Sequence, residues 1–80
     1  MDEYIGFILG NRNREKIIQV LESRGSMTAQ KIAKLEHLPE ITVNKILNEL
    51  SERELVTVNG DIYNLTALGS DVSKELRRRT

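Results

Sequence analysis

Thr42, Asn44, Lys45 and Asn48 are the side chains of this 80-residue sequence whose types and spacing best suit chemistry, and that chemistry is hydrogen bonding rather than bond breaking. A carboxamide such as Asn44 or Asn48 can pair bidentately with adenine. A threonine hydroxyl donates or accepts while its methyl can touch a thymine methyl, and Lys45 can reach guanine or phosphate. They lie in the run Glu40-Ile41-Thr42-Val43-Asn44-Lys45-Ile46-Leu47-Asn48-Glu49-Leu50. There Val43, Ile46, Leu47 and Leu50 recur at offsets of three, four and seven, the buried stripe of a helix expected over residues 40–53. Setting that stripe aside leaves Glu40, Ile41, Thr42, Asn44, Lys45, Asn48 and Glu49 outward, a face that can be presented to the major groove of DNA. The bland alternative is a solvated helix side on which Glu40 merely favours the helix dipole.

The neighbouring elements must hold that helix. Thr28 suits the N-cap of a helix over residues 29–36, with Ile32, Ala33 and Leu35 inward. His37-Leu38-Pro39 supplies the turn, proline being well placed at the entry to a helix. Lys31 and Lys34 either cross a phosphate backbone or are ordinary surface charge. Residues 55–65 hold two β-rich runs around Asn59-Gly60, a strong hairpin signal. Asn59 and Gly60 chiefly make the turn, with a secondary nucleic-acid contact. Asp61 at the tip, and the lack of lysine or arginine in the hairpin, predict a small contribution to affinity. Thr66 can cap a helix over residues 67–78 that buries Leu68, Val72 and Leu76 and carries Arg77, Arg78 and Arg79 at its negative end. At the start, residues 2–9 and 12–23 read as helical, the second through Ile17, Ile18, Val20 and Leu21. Gly10-Asn11 breaks them apart, unless one long helix tolerates Gly10. Gly25 suits a left-handed C-terminal position.

Composition narrows the alternatives. The chain is 39% hydrophobic and 30% charged, as ordinary globular domains are, and its length allows one core but not two. No cysteine is present, which excludes disulfides and thiolate chemistry and makes a zinc finger a poor fit. The apolar run Tyr4-Ile5-Gly6-Phe7-Ile8-Leu9 is too short to span a bilayer, and the chain lacks the basic start and cleavage site of a secretory signal. A soluble, cytoplasmic protein is expected. Twelve basic and twelve acidic residues cancel, so nucleic-acid affinity must come from local segregation of charge or from dimerisation. Arg12, Arg14 and Lys16, then Lys31 and Lys34, then Arg77 to Arg79, show partial segregation.

In order and spacing, the chain resembles the winged helix-turn-helix domains of MarR-like and ArsR-like transcriptional regulators, particularly compact archaeal ones. The likeness rests on Met27-Thr28-Ala29-Gln30-Lys31-Ile32-Ala33, on Leu38 to Leu50, on Glu54-Leu55-Val56 entering the wing, and on Tyr63-Asn64-Leu65-Thr66-Ala67-Leu68-Gly69 leaving it. It implies a mainly α fold with a small β-hairpin, a three-helix core plus wing and flanking terminal helices, in one domain over residues 1–80. The helix-turn-helix is expected at about 28–53, the wing at 55–65 and the C-terminal helix at 66–78. The implied function is a DNA-binding transcriptional regulator, acting on double-stranded DNA as a homodimer. The residues carried over as DNA-binding are Thr28, Lys31, Lys34, Ile41, Thr42, Asn44, Lys45, Asn48, Asn59 and Gly60. Such domains often have glycine where His37 and Glu54 stand, and both positions are candidates for left-handed backbone. Glu40 and Glu49 against Lys45 also make the candidate recognition helix unusually acidic.

The apolar residues Tyr4, Ile5, Phe7 and Ile8 either close over the core or form a homodimer seam with Leu68, Val72 and Leu76, and the seam is the reading preferred here. An enzyme is not expected. The lone histidine, His37, falls in the turn, and neither a catalytic constellation, a phosphate-binding glycine loop nor metal-ligand spacing is present. No cofactor is expected, and a small-molecule effector is doubtful for want of room. The competing function is a winged-helix protein-interaction module. A positive face along residues 40–50 and the Lys31/Lys34 flank would favour DNA, and a neutral or negative one would favour docking.

Overall fold

The elements begin and end where side chains or special torsions can satisfy the free backbone groups of helix termini. The computed structural model describes residues 1–79, as α1 (Asp2–Leu9), α2 (Arg12–Arg24), β1 (Met27–Thr28), α3 (Ala29–Glu36), α4 (Glu40–Glu52), β2 (Val56–Asn59), β3 (Ile62–Leu65) and α5 (Ala67–Arg79). The first two helices are separate, and the break falls at Asn11 rather than at Gly10. Gly10 keeps right-handed helical torsions, whereas Asn11 is extended and its side chain accepts from the N–H groups of Asn13 at 2.8 Å and Arg14 at 3.4 Å. Gly25 ends α2 with φ 88° and ψ −166°. That is not the left-handed helical position expected from sequence but an extended region with positive φ, open essentially to glycine alone.

Helices α3 and α4 end alike. The N–H of Leu38 reaches back to the carbonyl of Ala33, and that of Leu55 to the carbonyl of Leu50, at 3.0 and 2.9 Å. His37 (φ 56°) and Glu54 (φ 62°) occupy the left-handed position between helix and closing leucine. These are the bonds and torsions of the Schellman motif, in which the leucine also packs back on the helix. Both positions at which glycine is usual are therefore left-handed here, with histidine and glutamate carrying the strain.

The sheet departs from expectation in two ways. It has three strands, in the antiparallel order β1-β3-β2, because Met27 and Thr28 pair with Tyr63 and Ile62. Only the pairing can reveal this, since a two-residue strand has no periodicity to read. Within the hairpin, Asn59 pairs with Ile62, so the loop is Gly60-Asp61 and Asn59 belongs to the strand. Gly60 has φ 67° and Asp61 is not left-handed, which excludes the type I′ turn of an Asn-Gly pair and fits glycine at the first loop position of type II′.

One apolar cluster joins all the helices: Ile5 and Ile8 of α1, Ile17, Ile18, Val20 and Leu21 of α2, Ile32 of α3, the four aliphatics of α4, Leu55, Val56, and Val72 and Leu76 of α5. Ile5, Ile8, Val72 and Leu76 of the expected dimer seam are thus buried inside this chain, whereas Tyr4, Phe7 and Leu68 are half-buried. No helix among the described residues is long and apolar enough to cross a membrane.

A tight junction seats α5. The Thr66 hydroxyl donates to the Glu54 carbonyl at 2.7 Å and accepts from the Gly69 N–H at 2.9 Å, while the Thr66 N–H donates to the Leu55 carbonyl at 3.1 Å. A Cβ on Gly69 would collide with that same Leu55 carbonyl. Gly69→Ala is expected to lower unfolding free energy by about 2–3 kcal/mol through overpacking. Thr66→Val, losing two hydrogen bonds at constant shape, should cost about 1–2 kcal/mol. Glu54→Gly should stabilise by about 0.5–1 kcal/mol, because relief of left-handed strain exceeds the added freedom of the unfolded chain. Urea titrations with unchanged slopes check all three.

Candidate nucleic-acid interface

Burial on α4 alternates as a helix two residues out of phase with itself. Val43, Ile46, Leu47 and Leu50 are buried, and Ile41, Asn44, Lys45 and Asn48 are exposed. Each set has offsets of three, four and seven. The two-residue displacement, at about 100° per residue, sets the two stripes on nearly opposite sides. Thr42 lies between them and is half-buried, so it is less available than its three neighbours.

At its N-terminal end this face borders a cleft of about 280 Å³ lined by Thr28, Ala29, Gln30, Glu40, Asn44, Gly60, Asp61 and Tyr63. Thr28, Asn44 and Gly60 of the sequence-derived set are brought together here. Thr28 already uses its hydroxyl to cap α3, accepting from the Lys31 N–H at 3.1 Å. Lys31 and Lys34 follow Gln30 on the exposed side of α3, outside the cleft. Asn59 does not join the group and instead lines a second depression, of about 560 Å³, with Ser26, Thr57, Val58, Ile62 and Asn64. Gln30 and Tyr63 were not foreseen. Tyr63 is placed by the Met27–Tyr63 pairing, which sequence does not show, whereas Gln30 shares an exposed helix side with Lys34 four residues on, a signal that was legible.

The acidity of α4 is not what the sequence suggests. Glu49 is not displayed with the outer stripe; it receives two hydrogen bonds from the Arg14 guanidinium of α2, both at 3.3 Å. Arg14 also donates to the Phe7 carbonyl at 2.9 Å and lies 4.0 Å from the Phe7 ring centroid, and Arg53 approaches the same ring at 3.8 Å. Lys31, Lys34 and Lys45 make no ion pair among the described residues, which contain only arginine-centred ones. The unpaired charges on α4, on the exposed side of α3 and at the cleft are therefore Lys31, Lys34 and Lys45 against Glu40, Glu52 and Asp61. Among the described residues no group of three or more His, Cys, Asp or Glu is placed to hold a metal ion.

The model of the winged helix-turn-helix DNA-binding family matches residues 11–57, from the N-cap of α2 into β2. The chain belongs to that family. Solved structures extend the likeness past the matched segment. The quinone-bound YodB of B. subtilis is 26% identical with a TM-score of 0.84, over 96% of this chain and 88% of that one. NMB1585, a MarR family regulator from Neisseria meningitidis, is 25% identical with a TM-score of 0.80, over 98% of this chain and 60% of that one. A MarR/EmrR family transcriptional regulator from Acinetobacter sp. ADP1 is 26% identical with a TM-score of 0.76, over 81% and 48%. This chain thus spans only about half to three-fifths of those two MarR-family chains. No curated protein matches it. The winged helix-turn-helix fold read from the sequence is borne out, as is the likeness to MarR-family regulators, while nothing supports the narrower likeness to archaeal ones.

In this winged helix-turn-helix, Arg14 ties α1 and α2 to α4. Arg14→Ala should cost about 1–2 kcal/mol, since its contacts are partly shielded from water, and Glu49→Gln about 0.5 kcal/mol. Unfolding at low and at 1 M salt separates the two, because only the ion-pair contribution is screened.

Proposed function

We propose that this chain is the DNA-reading part of a transcriptional regulator that inserts α4 into the major groove of double-stranded DNA and acts as a homodimer. The observation that carries this reading is the pair of opposed stripes on α4, one filling the core and the other offering Asn44, Lys45 and Asn48 unobstructed. Residues 1–80 work as one unit in it, with the helix-turn-helix, wing and closing helix divided as expected from sequence. Asn44 and Asn48 read base edges, Lys45 reaches guanine or phosphate, and Lys31 and Lys34 contact phosphates on one flank. Thr28 and the Gly60 backbone border the groove where α3 and the wing meet. Thr42 and Asn59 contribute less, the first being half-buried and the second turned towards another surface.

Family membership supports DNA as the partner over a docking module, for which Glu40, Glu52 and Asp61 are the remaining argument. A binding rather than catalytic role, in the cytoplasm, follows from the same reading. The dimer rests on the two-fold geometry common to such binders. Its seam uses apolar surface that this fold leaves accessible, such as Met1 and Leu9 with the half-buried Tyr4, Phe7 and Leu68, rather than the buried Ile5, Ile8, Val72 and Leu76. The quinone belongs to the B. subtilis structure, and no small-molecule effector is included in the function proposed for this chain.

Selection of bound duplexes from a random pool at physiological salt, beside a measurement of mass in solution, tests the proposal. An enriched sequence with two-fold symmetry and a mass of two chains are expected. On the enriched site Asn44→Ala should cost about 1–3 kcal/mol and little on random duplex. Lys31→Ala should weaken both alike and reduce the salt slope by about 0.9. Equal losses on both duplexes for the two variants, or no enrichment, would overturn it.

A further inference from the structure

Ile41 is the one residue on the outer stripe of α4 whose side chain has no hydrogen-bonding group. At 79% it is the most exposed of the large apolar side chains among the described residues, and it is absent from those packed against the core. Packing in this chain therefore gives no reason for an aliphatic group there. Helix propensity gives none either, since a β-branched residue is a poorer helix former than lysine, glutamate or glutamine. Its position is nonetheless specific. It lies in the first turn of α4, three, four and seven residues before Asn44, Lys45 and Asn48, and so heads the same stripe. In helix-turn-helix docking, the N-terminal residues of the second helix approach the base edges most closely.

The major groove offers one prominent apolar group to such a side chain, the 5-methyl of thymine. Resting on the reading of α4 as groove-facing, we propose that Ile41 is a specificity-determining residue that packs on a thymine 5-methyl group beside the base read by Asn44 or Lys45. Thr42 carries the neighbouring methyl, but it is half-buried and set off the stripe. The contact removes one methyl-sized apolar surface from water, which corresponds to about fourfold in affinity, or about 0.8 kcal/mol. It restricts one position of each half-site to thymine without any hydrogen bond.

The test uses the duplex enriched by the wild-type chain, with each thymine replaced singly by deoxyuridine, so that only the methyl is removed. Binding is read by fluorescence anisotropy at fixed salt for the wild type and for Ile41→Ala, whose unfolding midpoint should not fall, because the side chain is solvent-facing and alanine is the better helix former. At one position per half-site, uracil should weaken the wild type about fourfold. Ile41→Ala should bind the thymine duplex about as weakly as the wild type binds the uracil one, and should not distinguish the two. The inference is overturned if uracil costs the wild type nothing at every position. It is equally overturned if Ile41→Ala keeps the full fourfold discrimination, or if that variant loses no affinity for DNA, as it would if Ile41 faced a protein partner. In all three cases continued preference for the enriched duplex over random duplex leaves the regulator reading standing. Failure of the wild type to enrich any sequence removes both.

Discussion

The rotational phase of α4 is the constraint on which everything else depends. Val43, Leu47 and Leu50 are wholly buried and Ile46 nearly so. Turning the helix by one residue would exchange these aliphatics for Asn44, Leu47's polar neighbour Asn48, and Ser51, leaving buried amides without partners. An unpaired buried polar group costs about 1–3 kcal/mol, and lost aliphatic burial about as much again for each side chain. The outer stripe is therefore presented by exclusion. Whatever binds there meets a face whose direction was decided by the core.

Phase alone does not fix where the helix points, and its two ends do. Leu38 and Leu55 close the Schellman turns that precede and follow α4, and each is an apolar anchor placed by a left-handed residue before it. A flexible residue at either position would satisfy the torsion more cheaply. Histidine and glutamate hold it only because the closing hydrogen bond and the leucine contact outweigh the strain. The second turn is reinforced from outside. Thr66 bonds to the Glu54 and Leu55 carbonyls while starting α5, and Gly69 lets α5 lie directly on Leu55. One junction thus terminates α4, launches the wing and seats the last helix.

The elements dominated by periodic burial or by a capping side chain were legible in the sequence: the stripes of α2 and α4, the Thr28 and Thr66 caps, and the left-handed positions at His37 and Glu54. What depended on pairing between distant segments was not. The strand at Met27–Thr28 exists only because β3 lies beside it. The Asn-Gly signal correctly marked a hairpin but placed its loop one residue early, since the registry is set by Val56 opposite Leu65 rather than by the turn pair. Glu49 was assigned to the outer face because helical geometry gives only the direction of Cα–Cβ; a long side chain reaching Arg14, thirty-five positions away in sequence, is invisible to periodicity. The apolar start of the chain admitted two uses, and packing against α2 and α5 selected the internal one. Of the candidate interface, the stripe was readable, while the cleft that joins it to the wing required the third strand.

Net neutrality is a weaker objection to nucleic-acid binding than it first looks. The chain measures 29 × 23 × 21 Å, whereas exposed charges are screened over about 8 Å at physiological ionic strength. A phosphate beside α3 and α4 therefore responds to the charges within that distance, not to the total of twelve against twelve. The carboxylates of Glu22, Glu75 and Asp2 are paired with arginines of α5, and Glu49 with Arg14. Arginine suits the forked contact of Arg14 with Glu49, because its planar guanidinium loses less rotamer freedom per hydrogen bond formed than a lysine stem does. The lysines stand apart as mobile, hydrated cations, the form in which a side chain can follow a phosphate without committing to one geometry. This division between the two basic residue types leaves Lys31, Lys34 and Lys45 unpaired on α3 and α4, although the chain is formally neutral. In the proposed function, Glu40 and Asp61 at the cleft and Glu52 at the end of α4 oppose binding locally, so discrimination by Asn44, Asn48 and Ile41 would have to supply what a more basic helix obtains from phosphates alone.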